Sequence, residues 1–174
     1  MAVTSHHSTV ADVDRQISNA LFGEVKGRLN VYPLFFRKEK SMGKSLIQTT
    51  NQTSQTVDEN GIISLGSVLR RYGCNCRLSG NSIEVSGQGY YTVDVDVSVT
   101  PTSAGNVTVA LYGNNVQIPS AIATGIVDVG GTVTLPISTT IRQVCNCEVA
   151  DSLTVVLLEG AGQVTNISAR VVKE

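Results

Sequence analysis

From Tyr91 to Thr100 polar and apolar positions alternate without a break. Val93, Val95, Val97 and Val99 are apolar, while Asp94, Asp96, Ser98 and Thr100 are polar. A period of two belongs to a strand with one buried and one wet face. Val107, Val109 and Leu111 repeat it against Asn106, Thr108 and Ala110. Val133, Leu135, Ile137 and Ile141 repeat it against Thr132, Thr134, Ser138 and Thr140. Turn signals separate the runs: Ser79-Gly80-Asn81, Pro101 to Asn106, Gly113-Asn114-Asn115, Gly130-Gly131 and Glu159-Gly160-Ala161-Gly162. The pattern predicts about eight to ten short strands in an all-β domain. That number exceeds one open sheet and suits two sheets packed face to face, a jelly-roll sandwich. Leu153 to Leu158 is almost wholly apolar, which fits a central core strand or a strand facing a neighbouring protomer.

The first 60 residues read differently. Val10, Val13, Ile17, Ala20 and Leu21 recur at three- and four-residue spacing, with Ser8 or Thr9 placed to cap and Gly23 placed to stop. This predicts a helix of about three turns, too short to be stable alone. Leu29, Val31, Tyr32, Leu34, Phe35 and Phe36 then cluster just ahead of Arg37, Lys38 and Lys40. An aromatic cluster flanked by cations marks a docking surface, or else it folds back on the chain's own β domain. Gln48 to Thr56 is polar and uncharged and shows no apolar period, the composition of a linker. The expected organisation is a docking arm over 1–45, a polar linker over 46–60 and a jelly-roll domain over 61–174.

Composition sharpens the boundary. Residues 1–60 hold 13 charged side chains, and residues 61–174 hold 14 in nearly twice the length. The second part has 13 of the 16 Gly together with 19 Val, the turn-forming and β-branched set. A net charge of -1 with 16% charged residues argues against a nucleic-acid partner. No window reaches the roughly 18 to 20 apolar residues of a membrane-spanning helix. The start lacks the basic and apolar regions of a signal peptide, so the chain is expected to stay where it is made or to leave inside an assembly.

The four cysteines form two copies of one motif, Cys74-Asn75-Cys76 and Cys145-Asn146-Cys147, each with an Arg three residues ahead. In a strand, positions i and i+2 share a face, so both thiols of each pair are expected on one side, facing inward. Three readings stay open: buried free thiols acting as small hydrophobes, disulfides across strands or subunits, and a four-thiolate zinc site. Zinc knuckles favour two or more residues between ligands, so no metal is expected.

Catalytic arrangements are sparse. His6 and His7 are the only histidines and precede the helix pattern. Asp94 and Asp96 share a face and could act as paired carboxylates, but on so clean an alternation they read as the solvated face. Gly87-Gln88-Gly89 and Gly130-Gly131 lack the following helix that makes a phosphate loop. The sequons at Asn51, Asn106 and Asn166 are what a Thr- and Asn-rich chain produces by chance. No enzyme activity and no cofactor are expected.

Several stretches also carry a resemblance. They are Ile63 to Val68, Cys74-Asn75-Cys76, Gly89 to Val95, Val107 to Tyr112 with Val116 to Pro119, and Arg142 to Glu148. The region 61–174 resembles the compact β domains of bacteriophage and prophage virion proteins, and its layout is similar to the jelly roll of the tumour-necrosis-factor and complement C1q superfamily. The resemblance implies ten strands, a homotrimer and a place in the virion as a capsid decoration or head fibre. The arm lies outside the resemblance, and its docking on a major capsid protein or connector surface is expected from the aromatic cluster and the linker alone. Alternatives are a host-surface or glycan-binding module working through Pro101 to Asn106 and Gly113 to Asn115, and a spore or cell-surface structural protein.

Overall fold

Inward-facing Val, Ile and Leu at every second position draw two antiparallel sheets together. A computed structural model describes residues 43–144 and 150–174. The elements in chain order are β1 (Ser45–Asn51), β2 (Gln55–Val57), β3 (Gly61–Ile62), β4 (Ser67–Tyr72), β5 (Cys76–Ser79), β6 (Ser82–Val85), β7 (Gly89–Pro101), β8 (Gly105–Gly113), β9 (Val116–Val127), β10 (Val133–Gln143), β11 (Asp151–Glu159) and β12 (Gly162–Lys173). One sheet runs β10-β7-β12-β1-β4, and the short β2 pairs with β12. The other runs β5-β6-β11-β8-β9, and the short β3 pairs with β11. Two five-strand paths give the ten strands of a jelly roll, and the described residues contain no helix.

The long alternating runs supply the core. Val93, Val95, Val97 and Val99 of β7 and Ile167, Ala169 and Val171 of β12 face Val107, Val109 and Leu111 of β8 and Leu153, Val155 and Leu157 of β11, and none is more than 3% exposed. At about 25 cal/mol per Å² of apolar surface removed from water, this layer is the main stabilising term. β11 lies between β6 and β8, so the apolar run Leu153 to Leu158 is a central strand. Its outward Val156 is also buried. Outward Thr108 and Ala110 of β8 are buried in the same way.

Local chemistry sets the turns and edges. Asn114 and Asn115, at φ 50° and 64°, make the two-residue turn between β8 and β9, a geometry Asn tolerates better than most residues. Both prolines inside long strands, Pro119 of β9 and Pro136 of β10, lie on edge strands, where a missing N–H costs no ladder bond. Those two edges close one side of the sandwich. A Cβ at Gly125 would stand 2.9 Å from Val133 Cγ2, and Ser120 Oγ lies 3.0 Å from Thr139 Oγ1.

The stretch 46–60, expected as a polar linker, belongs to the sandwich. β1 is paired on both sides, by β12 and by β4, and Ser45, Ile47 and Thr49 are buried. Val57 of β2 is buried too. The polar side chains serve as ties: Gln55 Nε2 donates to Ser64 O at 3.0 Å while its Oε1 accepts from Ser64 N at 2.9 Å, and Asn51 Nδ2 donates to the same carbonyl. The composition misleads because Ile47 is the only large inward apolar side chain of β1. Its strand state comes from the ladders of its two neighbours. The β unit therefore starts at Ser45 and not at residue 61. The expected helix and the arm up to residue 42 lie outside the described residues.

A chain starting at residue 43 should melt cooperatively, whereas one starting at residue 61, lacking β1 and β2, should show no cooperative transition by circular dichroism. Leu157→Ala, which opens a hole between the sheets, should lower stability by about 2 to 5 kcal/mol in urea unfolding.

Candidate functional site

Cys76 opens β5 facing inward and is fully buried, beside the ends of β7, β12 and β1. Cys74 is exposed. The expected sharing of one face fails here because the strand begins only at Cys76: Gly73, at φ 76°, and Asn75 belong to the preceding bend, so period-two parity does not reach Cys74. Both thiols are free. Cys145 and Cys147 lie outside the described residues.

Around Cys76 the end of the sandwich is closed by polar groups. Ser45 Oγ donates to Asn75 Oδ1 at 3.0 Å and accepts from Asn75 N at 3.2 Å. Asn75 Nδ2 donates to Ser86 O at 2.6 Å. The hydroxyl of Tyr91 is shared between Ser86 O at 2.6 Å and Gly87 O at 2.8 Å. Lys173, only 2% exposed, runs under Gly89 with its ammonium 5.8 Å from the centre of the Tyr91 ring. A Cβ at Gly89 would stand 2.8 Å from Lys173 Cε, and one at Gly87, at φ 86°, would collide with the Asn75 amide.

This end is built to be inert. Burial pushes the Cys76 thiol up to about 11, against the opposing pull of Lys173 and Arg71. Burial likewise pushes the Tyr91 phenol up to about 12, with Cys76, Asp151 and Cys74 adding to the rise. A buried thiol held in its protonated form is a poor nucleophile. Among the described residues no group of three His, Cys, Asp or Glu is placed to hold a metal ion.

The outer face of the β10-β7-β12-β1-β4 sheet carries a set of polar contacts. Asp94 accepts from Ser138 Oγ at 2.7 Å and faces Arg170 at 3.6 Å. Ser98 and Thr134 hydroxyls lie 2.9 Å apart, and those of Thr100 and Thr132 lie 2.7 Å apart. Asp94 and Asp96 thus stand on a solvated face, as their alternation predicted. The loops once paired as a glycan site are not brought together. They sit at opposite ends of β8, whose nine residues span roughly 27 Å at about 3.4 Å per residue. The docking residues Leu29, Val31, Tyr32, Leu34, Phe35, Phe36, Arg37, Lys38 and Lys40 lie outside the described residues.

Sequence reasoning missed Lys173, Ser45 and Gln143, three inward polar residues buried at this end. A lysine closing a strand reads as solvated, and only its odd parity with Ala169 and Val171 hinted otherwise. Tyr91 was visible as the aromatic continuation of the buried face of β7.

Comparison with known proteins fits this geometry at the level of fold. No family model and no curated protein matches the chain. Solved structures do. The globular domain of zebrafish complement 1qA protein superposes with a TM-score of 0.56 at 6% identity, covering 72% of this chain and 94% of that one. Murine APRIL superposes with a TM-score of 0.58 at 12% identity, covering 76% and 100%. PRD1 vertex protein P5 superposes with a TM-score of 0.51 at 16% identity, covering 74% and 96%. The chain has the jelly roll of the TNF and C1q-like domains.

Alkylation followed by peptide mapping should label Cys74 at once in the native protein and Cys76 only on unfolding. Stability should be complete below pH 9.0, where Cys76 is protonated in both folded and unfolded chains. It should fall between 9.0 and about 11, where the unfolded thiol loses its proton first. Cys76→Ala should flatten that fall in urea unfolding measured across the range.

Proposed function

We propose that the chain is a structural virion component, a capsid decoration or head fibre. Its leader, residues 1–42, fastens it to a major capsid protein or connector surface, and three copies of the jelly roll are displayed outward. The reading assigns the chain no reaction. The observation that carries it is that the described fold opens on β1, a strand hydrogen-bonded on both sides by β12 and β4. A pull on the leader is therefore taken in shear by two ladders at once, and a tether to a larger body needs that resistance. The likeness to PRD1 vertex protein P5 supports the same reading, since that protein is by name part of a vertex.

Adhesion in this reading comes from burial. Leu29, Val31, Tyr32, Leu34, Phe35 and Phe36 are the anchor, at about 1.5 to 3 kcal/mol for each large side chain fully buried. Arg37, Lys38 and Lys40 steer the leader toward an acidic partner surface.

Removing residues 1–42 should leave the jelly roll folded and abolish co-purification with particles. Phe35→Ala with Phe36→Ala should weaken loading at least about a hundredfold by the same burial arithmetic. Normal loading of the shortened chain onto particles would refute the reading.

A further inference from the structure

Charge is sorted along the length of the sandwich. The start of β1, the end of β12, the start of β7 and the end of β10 share one end, since Ser45 pairs with Lys173, Lys173 with Tyr91 and Gly89 with Gln143. Six of the seven described Lys and Arg stand there: Lys44, Arg70, Arg71, Arg77, Arg142 and Lys173. The seventh, Arg170, faces Asp94 in the middle of β7 at 3.6 Å. The opposite end is formed by the turn after β2, the loop after β9 and the last residue of β11. It carries Asp58, Glu59, Asp128 and Glu159, all exposed, and no Lys or Arg among the described residues. The 13 residues of β7 separate the two ends by roughly 40 Å, at about 3.4 Å each.

The carboxylates at the basic end are already engaged. Glu84 pairs with Arg77, Asp151 accepts from Asn114 Nδ2 at 2.7 Å, and Glu174 accepts from Thr92 Oγ1 at 2.7 Å. Lys44, Arg70, Arg71 and Arg142 are exposed, and among the described residues none of them has an ion-pair partner. Arg142 lies over the exposed Tyr90 ring, 5.7 Å from its centre. Tyr72 and Val144, 69% and 63% exposed, are at the same end. Arginines interleaved with uncovered tyrosines and an aliphatic group have the composition of a protein contact. A phosphate backbone asks for cations and gains nothing from an uncovered valine. Chain length then points to the occupant. The described fold opens at this end, at Lys44 and Ser45. Phe36 is nine residues ahead of Ser45, so an anchor ending at Phe36 holds the basic end within roughly 30 Å of whatever it grips.

We infer that the end bearing Lys44, Arg70, Arg71 and Arg142 docks on an acidic protein surface, the one that receives the leader. Tyr72 and Val144 lose solvent in that contact, and the acidic end points away. The inference rests on the leader reading above and deepens it, because the jelly roll itself takes part in attachment and its charge fixes which way it stands. An acidic surface attracts one end and repels the four carboxylates of the other, so both ends favour the same orientation.

Immobilised poly-L-glutamate, an acidic polypeptide, tests this with the full chain. The natural chain should be retained at low salt and released near 1 M salt, where the Debye length falls to about 3 Å. Cys74 is exposed at the basic end and reports on contact. Its alkylation should slow on the support, while the thiol introduced by Ser103→Cys in the loop at the acidic end should keep its solution rate. Arg70→Glu with Arg142→Glu should weaken retention at least about tenfold and return Cys74 to its solution rate, although Arg37, Lys38 and Lys40 are unchanged. Both positions are exposed, so an unchanged melting curve verifies that the variant is folded. Cys74 reacting on the support as fast as in solution, full retention of the double variant, or tighter retention on double-stranded DNA at the same salt would overturn the inference. Particle loading separates it from the proposed function. Normal loading of the chain with Phe35→Ala and Phe36→Ala strikes the leader reading and leaves the acidic partner of the basic end standing. Loss of loading in that chain, with Cys74 unshielded on poly-L-glutamate, does the reverse.

Discussion

The odd-numbered side chains of β7, caught between two sheets, set the terms for the rest of the molecule. β7 is the longest strand, and Val93, Val95, Val97 and Val99 can leave water only if a second sheet lies against them. That single demand fixes the register of both β12 and β10, because a one-residue slip would turn the valines outward and the aspartates inward. The opposing valines and leucines of β8 and β11 meet the same demand from the other side. Once those four strands are placed, β1 and β9 have determined positions beside them.

Polar chemistry divides between two regions with different tasks. At the Cys76 end, buried Ser45, Tyr91 and Lys173 and half-buried Asn75 are tied to one another, to backbone groups or to an aromatic face. Burial there suppresses ionisation of both the thiol and the phenol. On the outer face of the β7 sheet, hydroxyls and carboxylates remain in water and are available to another surface.

The strands with the strongest alternation were legible from the sequence, and so were the turns at Asn114-Asn115 and Gly80-Asn81. The sandwich follows from them, because eight to ten half-buried strands have few other ways to hide their faces. β1 was not legible. Its inward residues are Ser45, Ile47 and Thr49, and a Thr- and Gln-rich stretch looks the same whether it is a linker or a strand held by its neighbours. Cys74 and Cys76 were read as equivalent because parity was assumed to extend past the start of β5, where Gly73 breaks it.

The sequence alone determined the period of two, the position of most turns, the wet placement of Asp94 and Asp96 and the inward placement of Cys76. These are local properties, fixed by the spacing of apolar groups and by the few residues that accept unusual backbone angles. Only the tertiary structure decided that residues 45–51 form an interior strand, that Lys173 is buried beside Tyr91, and that all six residues of β4 are exposed. Each of these depends on which distant segment lies alongside. Strand pairing joins residues more than a hundred positions apart, as Ser45 and Lys173 do, and no local pattern records the partner.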